Sequence, residues 1–92
     1  MSKSIMQTEK ECWVCQNTQN LHKHHVYGGG LRPVSEKNGF WLWLCAKHHN
    51  MSDEGVHYDR SLDLRIKAEC QAEYEKTHDR ADFMALIGRN WL

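Results

Sequence analysis

No apolar run in this 92-residue chain approaches the length needed to cross a bilayer. The first eleven residues, MSKSIMQTEKE, lack the apolar stretch of a secretory signal. Both absences lead us to expect a cytoplasmic protein, in which cysteines stay reduced. Proline is nearly absent too: Pro33 is the only one. Net charge is missing altogether, with 12 Lys and Arg against 12 Asp and Glu. A neutral chain is not built like a nucleic-acid binder that relies on bulk positive charge. The balance is nevertheless uneven, +3 over residues 1–51 and −3 over residues 52–92. The basic half also holds most of the histidines, which points to an anionic partner on that side.

What the chain has in plenty is metal-ligand chemistry. Four cysteines in a reducing compartment suggest a metal before disulfides. Cys12, Cys15, Cys45 and His48 spell C-x2-C and C-x2-H with 29 residues between the halves. Each half is a knuckle that turns two side chains toward one point, and thiolate with imidazole is the donor set of tetrahedral zinc. Four protein ligands close such a site, so its role is structural. His49 is the alternative fourth ligand, because adjacent histidines leave the choice open. Other patterns fit worse. A two-cysteine, two-histidine finger needs about twelve residues between its pairs, whereas His22 follows Cys15 after six. A zinc deaminase needs H-x-E and P-C-x-x-C, and neither occurs. A small chain buries limited core and benefits from a metal staple.

The expected order of elements is simple. Residues 1–10 form a flexible tail, and residues 11–92 a single domain. Residues 21–27 form a short strand, residues 28–39 a long loop, and the aromatic run 40–44 (FWLWL) a buried strand. The segment 45–57 begins a knuckle or helix. Residues 60–76 form a helix capped by Asp59 or Ser61, with Leu62, Ile66, Cys70 and Tyr74 as its buried stripe. Cys70 is the odd thiol and reads as a small buried apolar residue. A last helix starts near Asp79, buries Phe83, Leu86 and Ile87, and stops at Gly88. The sum is a small α+β domain: a zinc-stapled core over residues 11–58 and a helical extension over residues 59–92.

The stretch LHKHHVYGGG adds three histidines beside the cysteine frame. A strand alternates its faces, so His22 and His24 share one face and His25 takes the other. Adjacent histidines aimed apart can divide their work, one holding a cation and the other meeting a water. The three glycines either let the backbone approach a phosphate or form an ordinary turn. Lys23, Arg32, Lys37 and Lys47 are the nearby cations. Trp13, Trp41 and Trp43 suit core packing around the metal better than base stacking.

The order CxxC, His24-His25-Val26, a loop, an apolar strand and Leu44-Cys45-Ala46-Lys47-His48-His49-Asn50 resembles the HNH endonucleases, the ββα-metal nucleases. The resemblance covers Cys12 to about His57, half of the chain. The layout is also similar to small phage nucleases of the recombination-enhancement, RecA-dependent type. That resemblance implies a ββα-metal core with a structural zinc. It makes His25 the general base and His24 a ligand of a catalytic Mg²⁺ or Mn²⁺. His49 or Asn50 would supply the second ligand, with Asp53 and His57 in reserve. The slot of the family's middle Asn is occupied by Phe40 here, and Asn38 lies two residues upstream. The implied activity is hydrolysis of DNA in phage recombination or DNA processing. The implied partners are DNA and a recombinase filament or other DNA-processing protein, in a bacterial host cytoplasm. The competing reading is a non-catalytic zinc module that binds nucleic acid or protein.

Overall fold

The computed structural model describes residues 3–49, 55–57 and 59–92. It is a small α+β domain. Two strands, β1 (Leu21–His25) and β2 (Trp41–Cys45), pair antiparallel with His24 opposite Leu42 and His25 opposite Trp41. Between them lies α1 (Arg32–Asn38), entered through a 3₁₀ turn over Gly29–Leu31. A short helix, α2 (Ala46–His49), follows β2 directly. Two helices complete the chain, α3 (Arg60–Tyr74) and α4 (Arg80–Ile87). Among the described residues, no helix is long and apolar enough to cross a membrane.

The loop expected over residues 28–39 is a correction: most of it is helical. Pro33 sits in the first turn of α1, where its missing N–H costs nothing. Gly39 ends α1 in the left-handed conformation, φ 75°. Any Cβ there would also collide with the Lys3 carbonyl, so this position needs glycine twice over. The neighbouring chain is the N-terminal segment. Residues in the stretch expected to be a flexible tail are fastened to the outer edge of β2. Ile5 N–H donates to the Gly39 carbonyl at 3.0 Å, and the Ser4 hydroxyl bonds the Trp41 carbonyl. Gln7 Oε1 accepts the Trp43 N–H at 2.6 Å. These contacts occupy backbone groups that an open sheet edge would leave exposed.

Asp59 caps α3 by accepting from the Ser61 and Leu62 amides at 3.0 and 3.2 Å. Ile66 and Cys70 of the expected stripe are fully buried, and Leu62 and Tyr74 pack at its ends. Asp79 and Asp82 form a capping box at the start of α4, and Gly88 ends it at φ 80°. The helices and the sheet meet in an aromatic cluster. Phe83 is fully buried, its ring 5.6 Å from Tyr27 and 6.2 Å from Phe40. Replacing Phe83 with Ala should therefore cost about 3–5 kcal/mol of stability. Urea titration of both proteins measures this, and an unchanged midpoint would mean that α4 does not share the core.

Candidate metal centres and the cleft

Among the described residues, two groups of side chains that could hold a metal lie close together in sequence. The first is Cys12, Cys15, Cys45 and His48, whose donor atoms all fall within 4.8 Å of one another. Backbone hydrogen bonds bring its distant halves together. Trp13 N–H donates to the Trp43 carbonyl at 2.8 Å, and Ala46 N–H to the Asn20 carbonyl at 3.0 Å. The first knuckle is thereby laced to β2 just where the second begins.

The distances are those of a ligand shell. Cys15 Sγ and Cys45 Sγ are 3.8 Å apart, far too long for a disulfide. His48 Nδ1 lies 3.3 Å from Cys45 Sγ and 3.7 Å from Cys12 Sγ. A tetrahedral ion with metal–sulfur bonds of about 2.3 Å would set sulfur–sulfur edges near 3.8 Å. The environment of Cys12 also favours the thiolate that a metal requires. Burial alone would push its thiol up, but the Cys45, Cys15 and Val14 amides around the sulfur outweigh it and bring the pKa down to about 6. At Cys15 the Asn17 amide lowers the pKa, but burial and the neighbouring Cys12 and Cys45 sulfurs leave it raised. Several sulfurs competing to ionise at one point are what a bound cation relieves. Cys70 has no part in this, because burial drives its thiol up to about 12.

The second group is His24, His49 and His57, again with donor nitrogens within 4.8 Å of one another. Of the two adjacent histidines, α2 places His48 beside the cysteines. Adjacent residues on a helix diverge, so His48 joins the cysteines while His49 turns to the histidines. His49 Nε2 lies 3.2 Å from His57 Nε2, and its Nδ1 lies 3.1 Å from His22 Nδ1. His24 is buried, and its Nε2 has no hydrogen-bond partner among the described residues. A buried nitrogen with an unused lone pair costs free energy unless something such as a cation meets it. Burial first, then the His49 and His57 charges, lowers the His24 pKa to about 4. Burial, then His57 and His22, lowers that of His49. All these effects keep the rings neutral, which is the ligating form. Asn50 and Asp53, also expected as ligands, lie outside the described residues.

This second group opens into a cleft of about 570 Å³. His25 lines it as well, although its contacts lie on the other side of the strand. Its Nε2 is 3.2 Å from Glu36 Oε1, while His22 and His24 face His49, as strand alternation requires. Asn38 does not approach His25; its amide donates to the Val34 carbonyl of its own helix at 2.9 Å. Lys23 and Arg32 line the cleft, whereas Lys37 lies beside Val34 and Leu86. Gly28 and Gly29 form part of the wall, with open space where their side chains would be, and φ is 60° at Gly29.

Three residues escape a reading of the sequence: Glu36, which contacts Lys23 and His25 of the wall, and Asp63 and Lys67, which line it. Glu36 was hidden in an expected loop, yet it is one of only three carboxylates in residues 1–51, a signal in itself. Asp63 and Lys67 come from α3, where they form an ion pair at 2.8 Å with both side chains about 18% exposed. The helical extension thus contributes to the cleft rather than standing wholly apart from it. Scans of family models and searches of curated proteins and solved structures find no match to this chain.

Proposed function

We propose that this chain is a metal-dependent DNA endonuclease of the HNH, ββα-metal kind. The observation that carries the reading is the cleft itself: a three-histidine group, one buried nitrogen of which lacks a partner among the described residues, beside a separate histidine held by a carboxylate. The Cys12, Cys15, Cys45 and His48 group is the structural centre and suits zinc by donor type. His24, His49 and His57 would hold the catalytic cation; three imidazole nitrogens suit a transition-metal ion, Mn²⁺ or another divalent one, better than Mg²⁺, which prefers oxygen ligands. When bound, that ion supplies charge against the scissile phosphate and the departing 3′-oxygen.

The residues of the chain do the rest. His25 takes one proton from a water as the water oxygen bonds to phosphorus. The bond from phosphorus to the 3′-oxygen breaks, that oxygen takes a proton from solvent, and His25 returns its own to solvent. Arg32 has no ion pair among the described residues and is suited to grip a phosphate oxygen in two places. The zero net charge favours action on DNA already gathered by a partner, such as a recombinase filament, over indiscriminate cutting.

The test is nicking of supercoiled plasmid in the presence and absence of divalent ions, with the filament supplied in parallel. DNA binding provides a second check. Arg32→Ala should weaken binding to all sequences and reduce the slope of log K against log salt by about 1. Glu69 and Glu73 pair with Arg65 and Lys76 on the exposed side of α3. Reversing both to Lys should not weaken binding. A large loss on their reversal, with Arg32→Ala silent, would put the DNA on the wrong face.

A further inference from the structure

Glu36 meets two partners from β1. Its Oε1 lies 3.0 Å from Lys23 Nζ and 3.2 Å from His25 Nε2, and its Oε2 lies 3.2 Å from the same Lys23 Nζ. The Lys23 hydrogen bond first, and the His25 contact second, hold the Glu36 carboxyl below its ordinary range. It is therefore a carboxylate, and a carboxylate only accepts hydrogen bonds. The contact at 3.2 Å then requires that Nε2 of His25 carry the proton. In a neutral ring this leaves Nδ1 as the basic atom. Among the described residues, Nδ1 makes no hydrogen bond. The ring belongs to a residue that lines the cleft containing His24, His49 and His57.

We propose that Glu36 is the positioning residue of His25, holding its ring as the Nε2–H tautomer so that Nδ1 faces the reacting water. The proposal rests on the nuclease reading for the use made of Nδ1, but not for the contact itself. A carboxylate behind an imidazole fixes the tautomer and the ring angle, as partners of ligating and catalytic histidines generally do. Lys23 fixes the carboxylate in turn. Its ammonium also lies 4.2 Å from the centroid of the Trp41 ring, so the stack runs from the sheet through Lys23 and Glu36 to His25. The position of Glu36 depends on α1, the helix that Pro33 starts and Gly39 stops. The segment between the strands is therefore part of the catalytic apparatus rather than a tether.

Two readouts test this. The first is the ring ¹⁵N chemical shifts of neutral His25, in the wild type and in Glu36→Ala, measured whether or not the protein cuts DNA. A single Nε2–H form is expected in the wild type, and tautomer-averaged shifts in Glu36→Ala. The second is single-site kinetics on plasmid. Glu36→Ala should lower kcat by about 10–100-fold, with KM, zinc content and circular dichroism unchanged. Glu36→Gln keeps an acceptor and should recover part of the loss. Averaged shifts in the wild type, or identical shifts in both proteins, would overturn the proposal. So would full activity of Glu36→Ala in an enzyme that cuts. A wild type that does not cut but shows the single tautomer, lost in Glu36→Ala, would keep Glu36 as the residue that positions His25 and remove the nuclease reading instead.

Discussion

His25→Ala should lower DNA cleavage by about 10²–10⁴-fold, the usual cost of losing a general base. Zinc content and fold should survive, because His25 belongs to neither metal-ligand group. Its ring is partly exposed and, among the described residues, is held by Glu36. His24→Ala should also be inactive, for a different reason. On the proposed mechanism it removes a ligand of the catalytic cation, so raising the divalent ion concentration should restore some activity to His24→Ala and none to His25→Ala. The assay is relaxation of supercoiled plasmid across a metal titration, with circular dichroism and elemental analysis on each variant. An active His25→Ala would move the base elsewhere in the cleft. Equal rescue of both variants would mean that the two histidines share one task.

Cys12→Ser should unfold the domain. Cys12 is fully buried, and the amides around its sulfur bring its thiol down to about 6. Apparent zinc affinities of structural sites are worth about 10–16 kcal/mol near neutral pH. A small domain has a total stability of only about 5–15 kcal/mol. Losing most of the metal term therefore removes most of the margin. The two-stranded sheet needs the centre particularly, since two strands are marginal alone. The wild type should carry one tightly held zinc, and a strong chelator should unfold it. Cys70→Ala provides the contrast. Its thiol is buried among apolar neighbours and raised to about 12, so this variant should keep its zinc and lose only some packing. Elemental analysis that finds no zinc in a folded wild type would remove the claim.

Some of this was legible in the chain and some was not, for identifiable reasons. Each knuckle is local, and its spacing alone turns two donors toward one point; backbone hydrogen bonds then join the two halves. The stripe Leu62, Ile66, Cys70, Tyr74 repeats at the helical period, and α3 buries it. The alternation of His22, His24 and His25 follows from strand geometry. Helix α1 was hidden because three glycines and the lone proline crowd its entrance, and such residues ordinarily mark a loop. In fact Pro33 starts the helix and Gly39 stops it. Glu36 was hidden with it, since its meeting with His25 exists only once α1 has folded across β1. The N-terminal segment leaves no periodic trace because backbone groups and the Gln7 amide hold it rather than an apolar pattern. Asp63 and Lys67 lie off the buried stripe of α3, where charged residues normally face water alone.

The most direct measurement is plasmid nicking by the zinc-loaded wild type, with and without a recombinase filament, as Mg²⁺, Mn²⁺ or another divalent ion is added and then chelated. His57→Ala, purified in the same way, serves as the control against contaminating nuclease. Nicking that depends on the added ion and disappears in His57→Ala is the expected result. A folded, zinc-bearing wild type that cuts nothing under any of these conditions would contradict it, and would leave a non-catalytic zinc module in its place.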